Sequence, residues 1–191
     1  MFLMKHLCSA LIFGDGASAS IWSSKTRAFQ CMQHRQLQSS DASSLQFPLL
    51  SCSGFNTIHK PEERDKLHFE HKDGKLRNVL HKTVPEMSGR AVAELFALEA
   101  GRPISRVVSH TGGSLIIMAM EHLLPQYSFA ECKAVMDRHG NMSSPSVMFV
   151  LEEMLRGANA EHTLRDGDWW MVSFGAGFTC HSCRLTKSES E

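Results

Sequence analysis

The sequence predicts an α/β fold in which helices cover a mostly buried mixed sheet. Strand-like and helix-like segments alternate through the later part of the chain, and the last two strand-like segments follow each other directly. Alternation is typical of layered α/β domains, and a directly connected final pair is typical of antiparallel strands. With 191 residues, 42% of them hydrophobic, the chain can form one sizeable core.

The first 65 residues give the weakest structural signals. Residues 7–22 resemble two short strands broken at Gly14-Asp15-Gly16, where glycines permit a tight bend. Residues 23–64 are polar and rich in Ser and Gln. We expect one strand around residues 28–34 in this stretch and loop elsewhere.

A hairpin and a helix are predicted next. The runs 67–70 and 76–80 flank Asp73-Gly74, a dipeptide favoured in hairpin turns. Pro85 suits the first turn of a helix. Apolar residues then recur at helical spacing as far as Gly101: Met87, Val92, Leu95, Phe96 and Leu98.

The remaining segments complete the alternation. A β-branched strand over 105–110 precedes helices over 115–124 and 129–138. Ser143 or Ser144 can cap a further helix that has Pro145 in its first turn. Its inward residues are predicted to be Val147, Phe149, Val150, Leu151 and Leu155, and the last strands to be 169–174 and 178–185, before a polar tail.

Composition excludes several classes of partner. Twenty basic and twenty acidic residues are well mixed, which argues against nucleic acid or an anionic membrane as a partner. No segment approaches the roughly 18 apolar residues of a membrane span. The apolar start ends at Gly14 without a clear cleavage site, so we expect a cytoplasmic protein without a signal peptide.

The six cysteines are scattered and fit no small disulfide framework, so reduced thiols are expected. Cys180 and Cys183 have CxxC spacing, but a second ligand pair is missing. On a strand these two residues would face opposite sides. We therefore expect neither a metal site nor a cofactor.

His110 is the first candidate site residue. It follows Val107-Val108-Ser109 and so lies at the carboxyl end of a predicted strand, where α/β sheets usually meet ligands. Gly112 and Gly113 lack side chains, which would let a substrate approach the backbone. The structural alternative is an ordinary turn histidine.

Asn141 is the second candidate. It lies just before a predicted helix, where asparagine is also an ordinary cap. Gly140 and the Ser143-Ser144 pair leave room around it, and the helix N-terminus adds positive potential. N–H donors on Asn141 and His110 could together hold an oxyanion or enolate, as thioester chemistry requires.

Two glycine-rich strings complete the set of motifs: FGDGA at 13–17 and FGAGF at 174–178. Between two strands, the second is either a tight hairpin turn or a close-fitting wall for a thioester or acyl chain. Each motif alone is ambiguous, and their order along the chain is informative.

In this order, and together with Val84-Pro85, the motifs resemble the chalcone and stilbene synthase family, the type III polyketide synthases of thiolase-like fold. Residues 140–151 (GNMSSPSVMFVL) are the most family-specific run. The resemblance covers the family's later half and implies an incomplete thiolase-like α-β-α domain. Its expected parts are the end of the N-terminal half (1–22), a polar connection or insertion (23–65), the C-terminal domain (66–186) and a tail (187–191).

The resemblance implies acyl transfer by a Cys-His-Asn triad, which loads an acyl-CoA starter, decarboxylates malonyl-CoA and condenses the two. His110 matches the histidine that supports the thiolate and the thioester carbonyl. Asn141 matches the asparagine that helps to stabilise the enolate. Phe13 matches a gatekeeping residue of the family, and Ser143 matches a residue that lines the cavity. Gly175 and Gly177 match the glycine-rich cavity wall.

The chain departs from the family pattern at several positions. Thr111 and Ala176 replace motif prolines, and Asn78 falls at the position of the family's second gatekeeping phenylalanine. The nucleophilic cysteine belongs to the family's first half, and none of the six cysteines has a convincing nucleophile context. We therefore expect the chain to be inactive alone.

Two alternatives remain open. The first is a long-chain 3-ketoacyl-CoA synthase of fatty-acid elongation, whose ending also resembles residues 174–182, although Met142 and the FGDGA string favour the polyketide family. The second is a noncatalytic remnant that pairs with a full-length synthase. The expected partners are acyl-CoA and malonyl-CoA as substrates, and a missing N-terminal half or a homodimer partner.

Overall fold

The computed structural model describes residues 19–21, 30–32, 50–157 and 160–187. Its centre is a four-stranded mixed sheet. In order across the sheet, the strands are β3 (Leu50–His59), β8 (Thr179–Lys187), β7 (Asp168–Gly175) and β6 (Ile104–Ser109). The β6–β7 pair is parallel and the other two pairs are antiparallel, which confirms the predicted mixed sheet.

Two smaller antiparallel pairs accompany this sheet. The strands β1 (Ala19–Ile21) and β2 (Gln30–Met32) form one pair. A 3-10 helix (Pro61–Lys66) leads into the hairpin of β4 (Leu67–Lys72) and β5 (Lys75–Leu80). The hairpin turns at Asp73-Gly74, as predicted, with positive φ at both residues.

Within the described ranges, five α-helices connect the strands. They are α1 (Val84–Phe96), α2 (Ser114–Leu123), α3 (Ala130–His139), α4 (Pro145–Arg156) and α5 (Ala160–Asp166). The first four agree with the predicted helices, whereas α5 was not predicted. Within the described residues, no helix is both long enough and apolar enough to span a membrane.

Two adjacent tryptophans demonstrate the layered architecture. Trp169 and Trp170 are both fully buried, although neighbouring residues on a strand point to opposite faces. The indole N–H of Trp169 donates to Thr163 of α5 at 3.2 Å. The Trp170 ring packs edge-on against Phe96 of α1, with centroids 5.1 Å apart. Helices therefore cover both faces of the sheet.

The expectation of loop over residues 50–59 was wrong. A β-bulge between Ser53 and Asn56 places two residues, Gly54 and Phe55, opposite one residue of β8. Such a bulge exchanges the inward and outward faces of a strand, so β3 has no single period-2 pattern. The strand forms because its backbone pairs with β8, a constraint that local sequence does not reveal.

A buried ion network joins the sheet to the segment after α1. Arg184 of β8 is 9% exposed, and its Nε donates to Glu99 at 2.7 Å. Its Nη1 donates to Asp168 of β7 at 2.7 Å and to the Arg102 carbonyl at 2.9 Å. Glu99 also accepts the indole N–H of Trp170 at 2.8 Å. The two carboxylates thus have a fixed cationic partner.

We predict that Arg184→Met lowers the free energy of unfolding by about 3–5 kcal/mol. The substitution keeps an apolar side chain but leaves two buried carboxylates, Glu99 and Asp168, without the Arg184 charge. Chemical denaturation followed by tryptophan fluorescence measures the change.

Arg90→Met is the matched control. Arg90 pairs with Glu86 on the exposed surface of α1, where an ion pair contributes little. We expect a change within about 0.5 kcal/mol. Equal losses in the two variants would contradict the importance assigned to the buried network.

Candidate functional site

His110 lies immediately beyond β6, as predicted. Its backbone N–H donates to the Val172 carbonyl of β7 at 2.9 Å, which extends the parallel ladder by one residue. The imidazole packs edge-on against Phe174, with ring centroids 5.0 Å apart and planes at 63°. Both the backbone and the ring of His110 are therefore held by β7.

Burial controls the charge of His110. The residue is 7% exposed, and loss of hydration lowers the pKa of its imidazole from 6.5 to about 4. The ring is thus neutral at pH 7 and carries one N–H. Its Nδ1 atom is buried and has no hydrogen-bond partner within the part of the chain that the structure describes.

Gly112 has a steric role that the sequence did not indicate. At its φ of +60°, a Cβ atom would lie 2.8 Å from two ring atoms of Phe174. The position therefore requires glycine because Phe174 occupies the adjacent space. Gly113 differs, since a Cβ there would meet no atom within 4 Å.

Asn141 lies against the loop that follows His110. Its side-chain Nδ2 donates to the Gly112 carbonyl at 3.1 Å, and its Oδ1 accepts the Ser143 N–H at 2.9 Å. The residue is buried. An amide nitrogen carries two N–H groups, so one donor remains after the bond to Gly112.

Ser146 is a supporting residue that the sequence analysis missed. Its hydroxyl accepts the Met142 N–H at 2.9 Å, and its own N–H donates to the Ser143 carbonyl at 3.0 Å. Ser144 occupies the cap position of α4 but makes no capping bond with its side chain, so the expected Ser143 or Ser144 cap was wrong in this respect. A serine directly after Pro145 was the available signal for this role.

The other predicted site residues have different settings. Ser143 is exposed, with a φ of +62° that is uncommon outside glycine. Gly175 ends β7 one residue after Phe174, and Gly177 lies in the turn to β8. The structure thus connects this turn to His110 through Phe174. Phe13 lies outside the described residues.

Thr111 and Ala176 occupy the two positions where the family pattern has proline. Thr111 is fully buried, and its hydroxyl has no hydrogen-bond partner within the described ranges. Its carbonyl accepts the Gly113 N–H at 2.5 Å, which keeps the turn tight without proline. Ala176 lies in the turn between β7 and β8.

The buried thiols are protonated at neutral pH, which suits them poorly to attack on a thioester. Burial raises the pKa values of Cys132 and Cys180 to about 12. A hydrogen bond to Cys52, together with burial, raises the pKa of Cys183. Among the residues described, no group of three or more His, Cys, Asp or Glu side chains could hold a metal ion.

The chain is similar to part of two curated ketoacyl synthases. The chain is 39% identical over 77 residues to 3-ketoacyl-CoA synthase 12 of Arabidopsis thaliana, covering 39% of this chain and 15% of that protein. It is 29% identical over 175 residues to β-ketoacyl-[acyl-carrier-protein] synthase III of Chlorobium phaeobacteroides, covering 90% and 51%. The chain thus spans about half, or less, of these relatives.

Solved structures show the same fold. A type III pentaketide synthase from Neurospora crassa has a TM-score of 0.62 at 18% identity, over 73% of this chain and 41% of that one. PKS-I from the brown alga Ectocarpus siliculosus has a TM-score of 0.62 at 24% identity, over 76% and 41%. CsyB complexed with CoA-SH has a TM-score of 0.61 at 20% identity, over 75% and 42%. These matches confirm the predicted thiolase-like fold and its restriction to one part of such proteins.

A family model described as the C-terminal domain of chalcone and stilbene synthases matches residues 76–188. This region includes His110, Asn141 and the turn that contains Gly175 and Gly177. It covers more than half of the 191 residues. The chain therefore belongs to the chalcone and stilbene synthase family, as a C-terminal domain of that family.

Proposed function

We propose that this chain supplies the histidine and asparagine of a decarboxylating, condensing acyltransferase site. The site would join malonyl-CoA units to an acyl-CoA starter. The observation that carries the proposal is the bond from Asn141 to the Gly112 carbonyl, two residues beyond His110. It ties the buried Asn141 side chain to the loop that follows the buried His110.

The proposed step is loss of carbon dioxide from a malonyl thioester. The bond to the carboxylate breaks, and its electron pair forms an enolate with negative charge on the thioester oxygen. N–H groups of His110 and Asn141 would donate to that oxygen. The enolate carbon then attacks the acyl thioester, a new carbon–carbon bond forms, and the cysteine thiolate leaves.

A neutral histidine suits this role. Its N–H can stabilise developing negative charge without first losing or gaining a proton. The depressed pKa of His110 keeps the imidazole in this form over the neutral pH range. Burial strengthens such a hydrogen bond because little water competes for it.

The nucleophilic sulfur is proposed to come from polypeptide outside the described residues. Cys132, Cys180 and Cys183 have raised pKa values. A first thiolase-like half, in the same polypeptide or in a partner, would supply it. Exposed apolar residues on α2, including Leu115 and Met118, support an association of this kind.

The substrate assignment extends to the remaining predicted positions. The name of the Arabidopsis relative and the CoA in the CsyB structure support a CoA thioester as substrate. We propose that Phe13, Ser143, Gly175 and Gly177 line the path or cavity for its acyl chain. A cytoplasmic location is part of the same proposal.

A 3-ketoacyl-CoA synthase is the second candidate. The 39% identity to the Arabidopsis enzyme over 77 residues favours it. Both candidates use the same decarboxylation, so the products distinguish them. One extension of a long-chain acyl-CoA would support the second candidate, and repeated extension of one starter would support the first.

We predict that His110→Ala or Asn141→Ala lowers malonyl-CoA decarboxylation about 100-fold or more when the chain is joined to a first half that carries the cysteine. Each substitution removes one donor to the enolate oxygen. Carbon dioxide release from labelled malonyl-CoA measures the rate.

His162→Ala provides the matched control, because His162 is exposed on α5, which leads into the start of β7, whereas the site lies beyond the carboxyl ends of β6 and β7. Its decarboxylation rate should match that of the unmodified protein. Unchanged rates in the His110 and Asn141 variants would rule out their proposed role.

The three buried thiols, Cys132, Cys180 and Cys183, should not be acylated when the chain alone is mixed with acyl-CoA. Their raised pKa values suppress the thiolate needed for attack. Peptide mapping by mass spectrometry checks this result. A specific acyl adduct on one of these three cysteines would refute it.

The pKa of His110 also predicts a pH dependence of stability. Since the pKa falls from 6.5 to about 4 on folding, the unfolded chain binds more protons between these values. Stability is therefore unaffected by His110 above pH 6.5 and falls as the pH decreases toward 4. Between pH 7.5 and 4.5 the unmodified protein should lose about 2 kcal/mol more than His110→Gln, measured by urea denaturation. Identical losses would contradict a buried neutral imidazole.

A further inference from the structure

We propose that Cys52 and Cys183 are a redox-active thiol pair, which forms a reversible disulfide between β3 and β8 when the protein meets a hydroperoxide. This modification site lies outside the His110–Asn141 loops, and it does not depend on the proposed condensing activity.

The strand register brings the two cysteines onto one face of the sheet. Cys52 pairs with Leu185, and Leu185 lies two residues from Cys183 on β8, so all three face the same side. The bulge at Gly54–Phe55 lies opposite Cys183 and draws β3 out of regular register there. Each of the two thiols also shifts the pKa of the other, as expected for neighbouring side chains.

Cys183 therefore has Cys52 as its neighbour rather than Cys180, although Cys180 and Cys183 have CxxC spacing. Cys180 and Cys183 lie three residues apart on a regular strand, so their side chains project from opposite faces. Cys180 pairs with Phe174 and Ile58, whereas Cys183 pairs with Met171. The partner of Cys183 is therefore distant in sequence and adjacent in space.

The environments of the two thiols differ in the way that a redox pair requires. Cys52 is half-buried on the edge strand, and Cys183 is buried. The hydrogen bond from Cys183 lowers the pKa of Cys52 and outweighs the opposing effect of burial, while it raises the pKa of Cys183. An oxidant therefore meets the more acidic and more accessible thiol first.

The chemistry balances with one hydroperoxide. The Cys52 thiolate attacks the peroxide oxygen, the O–O bond breaks, and Cys52 becomes a sulfenic acid while one molecule of water or alcohol leaves. Sulfur of Cys183 then attacks the Cys52 sulfur, and the hydroxyl departs with the Cys183 proton as water. Two thiols are oxidised, and one peroxide is reduced.

A disulfide between Cys52 and Cys183 would change the edge of the sheet. Cys183 neighbours Arg184, whose guanidinium holds Glu99 and Asp168 on the other face. A disulfide at this point would join β3 covalently to the strand that anchors the ion network. It would also close a long loop of chain, which raises resistance to unfolding.

The test treats the full chain with hydrogen peroxide under native conditions, blocks the remaining thiols with an alkylating agent, and maps disulfides by mass spectrometry. We expect a mass decrease of about 2 Da before alkylation, a linked peptide pair containing Cys52 and Cys183, and full reversal by dithiothreitol. The midpoint of thermal unfolding should rise by several degrees in the oxidised form.

Cys52→Ser should abolish the linked pair, and Cys180→Ser, at a buried position on the opposite face, should retain it. A native disulfide involving any of the other four cysteines would overturn the proposal. So would oxidation of Cys52 to the sulfinic acid while Cys183 remains alkylatable. Peroxide treatment in denaturing urea should lose the selectivity, and retention of the same pair there would show that the fold does not direct it.

Discussion

The buried guanidinium of Arg184 is the interaction on which the described structure depends. A buried cation requires its anions, so Glu99 and Asp168 are held against β8. Glu99 also accepts the indole N–H of Trp170. The charged network and the apolar core therefore both hold the connection between α1 and β6. That connection leads into β6, whose far end carries His110. A charge cluster at one end of the sheet thus sets the location of the candidate site at the other.

Main-chain bonds and one aromatic ring position the two candidate donors. His110 extends the ladder with β7, and the Asn141 amide bonds to the Gly112 carbonyl. Phe174 fills the space that Gly112 leaves and faces the imidazole. Groups held in this way need little rearrangement when charge develops on a substrate, which is the requirement for electrostatic stabilisation. The same burial that holds His110 removes its charge.

Much of this structure was predictable because its signals are local. Asp73-Gly74 predicted the hairpin, and Pro85 and Pro145 marked helix starts. The misses depend on distant partners. The strand β3 forms only against β8, and the role of Gly112 depends on Phe174. Cys183 and Cys52 lie on neighbouring strands but are far apart in sequence. Composition and periodicity carry no information about such pairings.

The adjacent buried tryptophans have a spectroscopic consequence. Trp169 bonds to α5 and Trp170 to Glu99, so each indole senses a different side of the sheet. With Trp22 and one of the pair substituted by phenylalanine, the remaining indole reports on a single layer. A carboxylate beside the Trp170 indole and a hydroxyl beside that of Trp169 give the two rings distinct electrostatic surroundings. The described residues thus contain two optical reporters, one for each helical layer.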